Sequence, residues 1–159
     1  MIKFENVQDV TQDQFPLPKR ATKESAGYDF VVPKSACNYA KHGKQYLVVL
    51  PDSYSELIKT GVKFKCPPML YLALHPRNST GTKKHCRLVN SSGIIDADYY
   101  SNENNDGNIG AVLHNFGSEP AFFKEGEAFM QGIIQSYFVT DDDRETTLRT
   151  GATFFGERN

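Results

Sequence analysis

The sequence predicts an all-β fold with one short helix and a flexible C-terminal arm. Among its 159 residues are 11 phenylalanines and 8 tyrosines, and aromatic side chains favour strands. Short apolar stretches alternate with turn residues along most of the chain, which is typical of sandwiches and barrels. One segment, Ser53 to Glu56, carries a convincing capping box, in which a serine and a glutamate three positions apart mark the start of a helix.

The elements follow from these patterns in chain order. The capping box predicts a helix over about Tyr54–Thr60, which Gly61 closes. A single helical turn is expected near residues 82–85. Residues 1–140 are expected to form one β domain, followed by an acidic linker and an arm over residues 141–159. The predicted strands are 2–7, 26–32, 45–50, 61–65, 69–75, 109–115, 121–123 and 128–139.

Charge and composition limit the classes of function. The net charge of −1 gives no strong general field for nucleic acid or an anionic membrane. No apolar run reaches the length of a membrane helix. The N-terminus lacks the apolar core of a signal peptide, and the three cysteines are odd in number and widely spaced. We therefore expect a cytoplasmic protein that contacts neither nucleic acid nor membrane directly.

The stretch from Asn90 to Gly110 carries the densest group of candidate catalytic side chains. The pair Asp106-Gly107 is a strong hairpin signal and would place Asp96, Asp98 and Tyr99 on one arm of a β-hairpin. On a strand, the two aspartates share a face and the tyrosine points the other way. A carboxylate there can accept a proton from water, and a tyrosine ring can pack on a sugar or a base. Taken alone, such an acidic hairpin is more often a solvated loop.

Three further segments carry polar residues with an open interpretation. Asp29 either caps a turn or orients metal-bound water. The segment Arg77–Gly81 offers a guanidinium, side-chain donors and backbone N–H groups that could hold a phosphate. It lacks P-loop spacing, and a basic solvated turn is the slightly favoured interpretation of these residues alone. The tail from Arg149 is either a disordered end or an arm that closes over a ligand.

Other chemistries are disfavoured. A calcium loop with ligands from Asn102 to Asp106 would need a glutamate at its twelfth position, where Leu113 stands. The four histidines show no zinc-ligand spacing. Cys86 and His85 could be a nucleophile and its base, but neighbouring residues of a strand point to opposite faces.

Five short segments stand in a fixed order along nearly the whole chain. They are A-G-Y-D from residue 26, P-R-N-S from 76, N-S-S-G-I-I-D-A-D-Y from 90, G-E-A-F-M-Q from 126, and R-T-G followed by phenylalanine and glycine from 149. This order resembles the trimeric dUTP pyrophosphatases (dUTPases). The third segment is the most specific, and the extension that follows it is similar to the branch found in some Gram-positive bacteria and their phages.

The resemblance implies a distorted jelly roll of the β-clip type, a homotrimer, and cleavage of dUTP to dUMP and pyrophosphate with Mg²⁺. Asp96 would activate water against the α-phosphate, and Tyr99 would pack on the deoxyribose. Asp29 would hold a water of the magnesium shell. Arg149 and a tail phenylalanine would arrive from a neighbouring subunit. The substrate-binding residues that the resemblance implies are Arg77, Asn78, Ser79, Asn90, Gly93, Tyr99, Gln131, Arg149, Phe154 and Phe155.

The sequence departs from the family pattern at a few positions. Asn78 stands where a serine is usual, and the tail lacks the usual serine and threonine after its phenylalanine-glycine pair. These departures leave a second hypothesis open, a catalytically weak dUTPase-like protein that binds nucleotide and acts through a protein partner. The related dCTP deaminases are a third, weaker one, because they use a glutamate base that this chain does not place there.

Overall fold

A computed structural model describes the backbone of residues 1–153, 156 and 157 and the side chains of residues 1–151. Within these residues the chain is mostly β, with one short α-helix, α1 (Asn78–Thr82). The all-β class is confirmed. The strands are β1 (Lys3–Asn6), β2 (Lys19–Arg20), β3 (Tyr28–Val31), β4 (Tyr39–Lys41), β5 (Lys44–Val49), β6 (Ile58–Lys59), β7 (Val62–Lys65), β8 (Leu70–Pro76), β9 (Cys86–Leu88), β10 (Gly93–Asp96), β11 (Gly110–Ala111), β12 (Leu113–Asn115), β13 (Ala121–Lys124), β14 (Ala128–Ser136), β15 (Ala152–Thr153) and β16 (Gly156–Glu157).

A five-stranded antiparallel sheet in the order β10-β8-β14-β3-β2 positions the candidate site. Side chains alternate across each strand, so Leu72 and Leu74 of β8 point inward, where both are 0% exposed. The opposite face carries two polar rows, one at each end of β8. The rows are Asp96, Tyr71 and Gln135 at one end and Asp29, Gln131 and His75 at the other.

The remaining strands form smaller sheets. They pair β13 with β5 and β4, β1 with β7, β11 with β6, β12 with β9, and β15 with β16. Inward side chains of several of these sheets join those of the central sheet in one apolar cluster. The largest fully buried side chains are Phe30, Phe64, Phe123, Phe129, Ile58, Leu72, Leu74, Leu88, Ile109, Leu113, Met130 and Val32.

The helix predicted over residues 54–60 is wrong. Ser55 pairs with Leu113 instead: its backbone N–H donates to the Leu113 carbonyl at 2.8 Å, and its hydroxyl accepts from the Leu113 N–H at 2.9 Å. The residues that should continue the helix form strand β6. Gly61, with φ of +69°, lies against the Phe15 ring, where a Cβ would come within 2.4 Å of the ring. Tertiary pairing therefore overrides the local capping signal.

The hairpin predicted from Asp106-Gly107 is also wrong. The turn exists, with left-handed φ at both residues, but it does not join paired strands. Strand β10 pairs with β8, and β11, which follows the turn, pairs with β6. After Asp96 the chain bends into a 3₁₀ turn over Ala97–Tyr99. The β10–β8 pairing is preferred because it buries Ile95 against the core.

The loop that follows Tyr99 is anchored to the start of the chain. Asp106 accepts from the backbone N–H of Gln8 at 2.8 Å and from the ammonium of Lys63 at 3.0 Å. The Tyr100 hydroxyl donates to Glu5 at 2.6 Å, which lowers the pKa of that carboxyl. This loop is thus a fixed part of the fold.

Strand β14 ends at Ser136. The acidic segment from Asp141 to Arg149 contains neither helix nor strand. The division into residues 1–140 and 141–159 stays a prediction. In the part of the chain that the structure describes, every helix is too short to cross a membrane.

The Asp106 anchor predicts a pH-dependent contribution to stability. Burial acts to raise the pKa of Asp106, but the hydrogen bonds from Gln8 and Lys63 outweigh it and lower the pKa below its ordinary value of 3.8. A carboxylate with a lowered folded-state pKa stabilises the fold above the unfolded-state pKa, and loses that effect as pH falls through the folded value. Asp106→Asn should therefore cost about 1 kcal/mol at pH 7 and progressively less below about pH 4.

Urea denaturation at pH 7, 4 and 3 measures this difference. Asp13→Asn is the matched control, because it removes an exposed carboxylate near the N-terminus, where Gln8 also lies. We expect it to change the free energy of unfolding little at any of these pH values. An Asp106→Asn penalty that stays the same at all three pH values would show that the ionised carboxylate is not its source.

Candidate active site

One end of the central sheet holds a group of polar side chains built on Asp29, Arg77 and Gln131, which we call the Arg77 cluster. The guanidinium of Arg77 donates to Asp29 Oδ2 at 2.8 Å, and the two side chains are only 34% and 17% exposed. Gln131 lies opposite Asp29 in the register of β14 and β3. The ion pair with Asp29 fixes the guanidinium at the end of β8, where an anion can reach its remaining N–H groups.

Backbone geometry explains the glycine of the first motif. A Cβ on Gly27 would come within 2.2 Å of Oε1 of Gln131. The Gln131 amide also donates to the carbonyl of Pro76 at 3.2 Å. Glycine at position 27 therefore lets the glutamine lie close against the start of β3, beside the end of β8.

Helix α1 follows Arg77 directly and is pinned to β14. The buried Thr80 hydroxyl donates to the carbonyl of Phe129 at 2.9 Å, and the backbone N–H of Arg77 donates to the same oxygen at 3.3 Å. Asn78 and Ser79 form the first residues of this helix. The segment for which a basic solvated turn was one interpretation is thus a short helix that holds Arg77, Asn78 and Ser79 at one end of β8. The helical turn predicted near residues 82–85 is displaced, because the helix ends at Thr82.

The other end of the sheet holds the Asp96 cluster, defined as Asp96, Asp98, Tyr99 and Arg149. Asp96 is the last residue of β10, and the 3₁₀ turn carries Asp98 and Tyr99. Arg149 donates to Asp98 Oδ1 through Nε at 2.9 Å and to Asp96 Oδ2 at 2.8 Å. Both aspartates therefore face the same guanidinium. The continuous strand from which a shared face was predicted is absent, because the chain bends after Asp96.

Tyr99 follows this pair in the turn and belongs to the core. It is 5% exposed, and its hydroxyl accepts from Asn105 at 2.7 Å and donates to the carbonyl of Asn108 at 3.2 Å. Burial raises the pKa of Tyr99, against the opposing effects of the Asn105 hydrogen bond and the charge of Arg149. The phenol is thus neutral and fixed in orientation by the loop after it.

Asn90 and Gly93 flank the turn that leads into β10. Asn90 is exposed, and its carbonyl accepts from the backbone N–H of Ser92 at 2.8 Å. Gly93 packs against the side chain of Leu74, to which a Cβ would come within 3.0 Å. The glycine therefore has a packing role besides any contact with a ligand. Phe154 and Phe155 lie outside the residues that the structure describes.

A single chain does not bring the two clusters together. Asp96 lies opposite Tyr71 of β8, and Arg77 comes six residues after Tyr71, just beyond the end of that strand. At about 3.3 Å per residue, the two Cα atoms are roughly 20 Å apart. A water held by Asp96 therefore cannot lie within reach of a phosphate held by Arg77 of the same chain.

The arm returns to its own chain in this structure, whereas the resemblance assigns Arg149 to a neighbouring subunit. Gln135, near the end of β14, pairs with Tyr71, which in turn pairs with Asp96. The arm thus begins only two strands, or about 10 Å, from Asp96. The chain between Ser136 and Arg149 can span about 40 Å, which is ample for the return.

Sequence reasoning missed two residues that share the face of the Arg77 cluster, and it missed the partner of a third residue, Asp98. Lys19 lies opposite Asp29, and His75 lies opposite Gln131, so both share the face of the Arg77 cluster. Asp98 had no assigned partner, yet it binds Arg149. No local signal could identify these roles, because each depends on which strands pair or on where the arm returns.

The cysteines do not form a nucleophilic site. Cys86 is 0% exposed in the core, and burial raises the pKa of its thiol to about 11. Burial also raises the pKa values of Cys37 and Cys66. The pairing of Cys86 with His85 as nucleophile and base is therefore excluded, because the thiol is neither ionised nor accessible.

Comparison with known proteins agrees with the motif order and the architecture. The sequence profile of the dUTPase family matches residues 13–154. The chain belongs to the dUTPase family. The match covers both clusters and the start of the tail. The family predicted from the order of the five short segments is therefore confirmed.

Relatives from Gram-positive bacteria are among the similar proteins. The deoxyuridine 5'-triphosphate nucleotidohydrolase of Lactococcus lactis is 33% identical over 150 residues, which are 93% of this chain and 92% of that protein. The crystal structure of the dUTPase from Streptococcus mutans is 33% identical, with a TM-score of 0.71, and the match covers 87% of this chain and 98% of that one. Both support the predicted branch of the dUTPase family.

A more distant structure confirms the fold. A mutant of the dUTPase from phage phi11 of S. aureus, whose structure reveals the coordination of a structural Mg(II) ion, matches with a TM-score of 0.66 at 18% identity. The match covers 92% of this chain and 97% of that one. The likeness in fold thus extends over most of this chain.

Cys86 gives a direct test of the exclusion of cysteine chemistry. With a pKa of about 11, the thiol is about 0.1% ionised at pH 8, and the core shields it. We expect iodoacetamide at pH 8 to label Cys86 in the native protein at least about 100 times more slowly than in urea. Peptide mass spectrometry measures the two rates, and Cys37 and Cys66, which are partly exposed, are the internal comparison. Fast native labelling of Cys86 would contradict its assigned burial.

Proposed function

We propose that this protein hydrolyses dUTP to dUMP and pyrophosphate, and thereby keeps uracil out of DNA and supplies dUMP. The observation that carries the proposal is the Asp96 cluster, in which a carboxylate at the end of a paired strand is followed by a buried tyrosine. Membership of the dUTPase family and the 33% identity to the nucleotidohydrolase of Lactococcus lactis support the substrate. The Arg77 cluster supplies the complementary site for phosphates.

Asp96 is the general base of the proposed reaction. Its side chain is 48% exposed, so water can reach the carboxylate. The carboxylate would accept a proton from a water as the water attacks the α-phosphate, and pyrophosphate would leave. Hydrolysis of a phosphoric anhydride needs little covalent work from the protein, because positioning and charge stabilisation dominate catalysis. No nucleophilic cysteine or lysine is needed.

The Arg77 cluster binds the triphosphate in this proposal. A guanidinium forms bidentate hydrogen bonds with phosphate oxygens, and Gln131 can donate through its amide. Asn78 and Ser79 lie directly after Arg77 and offer further donors. Asn90 and the backbone beside Gly93 would read the uracil. Arg149 and either Phe154 or Phe155 would complete the site from the arm.

A magnesium ion fits the residues of the Arg77 cluster when the substrate brings most of its ligands. Among the residues described, no three His, Cys, Asp or Glu side chains are grouped as a protein-only metal site. Mg²⁺ usually keeps several waters and binds one or two carboxylates together with substrate phosphates. Asp29 uses Oδ2 to accept from Arg77, so its Oδ1 would accept from a metal-bound water. Bound magnesium would neutralise and orient the triphosphate.

Tyr99 sets the choice of sugar in this proposal. Its ring is fixed by burial and by two hydrogen bonds on its hydroxyl, so it cannot move aside for a larger ligand. A 2′-hydroxyl on a sugar packed against the ring would be left without a partner, which costs affinity. UTP should therefore be a poor substrate.

Each complete site would combine the Asp96 cluster of one subunit with the Arg77 cluster of another. The roughly 20 Å between the clusters of one chain supports this arrangement, and a homotrimer would provide three such sites. The sheet face between the two polar rows is apolar in the middle, where Ile94 is 57% exposed beside Ala73 and Ile133. A neighbouring subunit would cover this face.

A role through a regulatory protein partner is the weaker candidate. The dUTPase of Staphylococcus bacteriophage 80alpha is described as controlling the transfer of virulence genes by a G protein-like mechanism. Its 17% identity to this chain supports the shared fold alone. The retained Asp96, Tyr99 and Arg77 favour catalysis instead. A cytoplasmic location belongs to the proposal, because three free thiols suit a reducing compartment.

Asp96→Asn tests the role of the base. The amide cannot accept the proton, so turnover of dUTP should fall by at least about 100-fold while nucleotide binding persists. Pyrophosphate release measures turnover, and calorimetry with a non-hydrolysable dUTP analogue measures binding. Asp13→Asn is the control for loss of a carboxylate elsewhere. Near-normal turnover in Asp96→Asn would remove this residue from the mechanism.

Mixing two inactive variants tests the shared site. Asp96→Asn and Arg77→Ala chains each lack one cluster, and their homo-oligomers should be inactive. After unfolding and refolding as an equal mixture, about one quarter of the sites should combine two intact clusters, since each cluster comes from the right variant half of the time. Turnover should recover to about a quarter of the unmodified value. Recovery no greater than the sum of the separate variants would show that a single chain supplies both clusters.

A further inference from the structure

The ion pair at the centre of the Arg77 cluster leaves the pair without a net positive charge. Arg77 donates to Asp29 Oδ2 at 2.8 Å, so the charge of the guanidinium is offset by that of the carboxylate. A triphosphate carries several negative charges, and its magnesium complex is still anionic. Phosphates that leave water need cations beside them, because an uncompensated charge is costly to desolvate. The proposed phosphate site therefore needs positive charge from the protein besides Arg77.

Lys19 extends the polar row of the Arg77 cluster across one more strand. It lies directly opposite Asp29 in the antiparallel pairing of β2 with β3, so both side chains project from the same face. Opposed Cα atoms in such a pair are only about 4.5–5.5 Å apart. The long, flexible stem of a lysine lets its ammonium reach past the shorter aspartate beside it. Lys19 is thus placed to reach a ligand held over Asp29.

The ammonium of Lys19 has no competing partner within the part of the chain that the structure describes. The residue is exposed, and its side chain forms neither a hydrogen bond nor an ion pair with another described residue. Asp29, its neighbour across the strands, uses Oδ2 to accept from Arg77 instead. The positive charge of Lys19 therefore adds to that of the Arg77 cluster and is not cancelled by a carboxylate.

The loop that follows β2 is held in shape by the residue next to Lys19. Arg20 donates through Nη1 to the carbonyls of Lys23 at 2.7 Å and Ser25 at 3.4 Å. The Ser25 hydroxyl also accepts from the backbone N–H of Thr22 at 3.1 Å. Because neighbouring residues of a strand point to opposite faces, Arg20 stabilises the loop while Lys19 faces the Arg77 cluster.

A cleft of about 530 Å³ lies beside Lys19 and is lined by the same loop. Its lining contains three basic residues, Lys19, Arg20 and Lys23, and none of its lining residues is acidic. A concave surface with a single sign of charge attracts ions of the opposite sign. A phosphate chain that extends past Asp29 would therefore meet a cationic surface with Lys19 at its near edge.

We propose that Lys19 is a phosphate-binding residue of this site, which contacts the triphosphate from the β2 side of Asp29 while Arg77 contacts it from the β8 side. This inference rests on the proposed function for the identity of the nucleotide. A lysine ammonium is a point charge on a flexible stem, so it adds binding free energy without fixing the geometry of the reacting phosphate. Its contribution falls on nucleotide binding and little on the chemical step.

Calorimetry with Mg²⁺ and a non-hydrolysable dUTP analogue tests the contact without relying on turnover. Lys19→Ala should weaken binding by about ten-fold, since a hydrogen bond to a charged group is lost. Lys19→Arg should stay within about two-fold of the unmodified protein, because the charge is kept. The exposed position of Lys19 makes both variants compatible with the fold.

Lys23→Ala is the matched control, because it removes an exposed lysine from the same loop and leaves the carbonyl that binds Arg20 in place. It should change the affinity for the analogue by less than about two-fold. An equal loss of affinity in Lys23→Ala and Lys19→Ala would show that the general charge of the loop attracts the nucleotide. That result, or an unchanged affinity in Lys19→Ala, would overturn the proposal.

Inorganic triphosphate separates the phosphate contact from recognition of the nucleoside. With Mg²⁺ present it should bind the unmodified protein, and Lys19→Ala should weaken this binding by about the same ten-fold factor. If the unmodified protein does not hydrolyse dUTP, the proposed function fails, whereas this measurement still decides whether Lys19 binds a phosphate chain. Binding of inorganic triphosphate that is absent, or equal in the two proteins, would overturn the inference.

Steady-state kinetics tests where the contribution of Lys19 falls. Lys19→Ala should raise the KM for dUTP by about ten-fold with kcat changed by less than about two-fold, because the contact is made equally in the ground state and the transition state. Lys19→Arg should restore the KM to within about two-fold of the unmodified value. A lowered kcat with an unchanged KM would place Lys19 in the chemical step and overturn its assignment as a binding residue.

Discussion

The pairing of β8 with β10 on one side and β14 on the other is the constraint on which the rest of the site depends. A strand advances about 3.3 Å per residue, and its partners are held in register by backbone hydrogen bonds that cannot slip without turning every side chain to the other face. This register fixes Asp96 beside Tyr71 and Gln131 beside His75. Asp96 and Arg77 are consequently held at opposite ends of one sheet.

The same register decides where the arm can act. Strand β14 runs toward the Asp96 end, so the chain that follows it emerges close to the aspartates. The acidic pair there would repel a triphosphate, and the return of Arg149 offsets part of that charge.

Local sequence patterns predicted individual strands well and failed where distant segments compete. Strands β5, β7 and β8 lie within a residue or so of their expected positions, because alternation and flanking prolines or glycines are local signals. The capping box at Ser53 to Glu56 lost to pairing with β12, since Ser55 satisfies backbone groups of Leu113 instead of starting a helix. The hairpin predicted from Asp106-Gly107 likewise does not form, because β10 pairs with β8 and thereby buries Ile95.

The sequence by itself determined the family, the fold class and the identities of the main candidate residues, because their order and spacing are properties of the chain alone. Only the tertiary structure decided that Asp98 shares a guanidinium with Asp96 and that Lys19 and His75 face the Arg77 cluster. It also decided that Tyr99 is a buried ring with a fixed hydroxyl. The physical reason is that strand register and the path of a returning arm are set by burial and hydrogen bonding between segments far apart in sequence, and no local pattern encodes those distances.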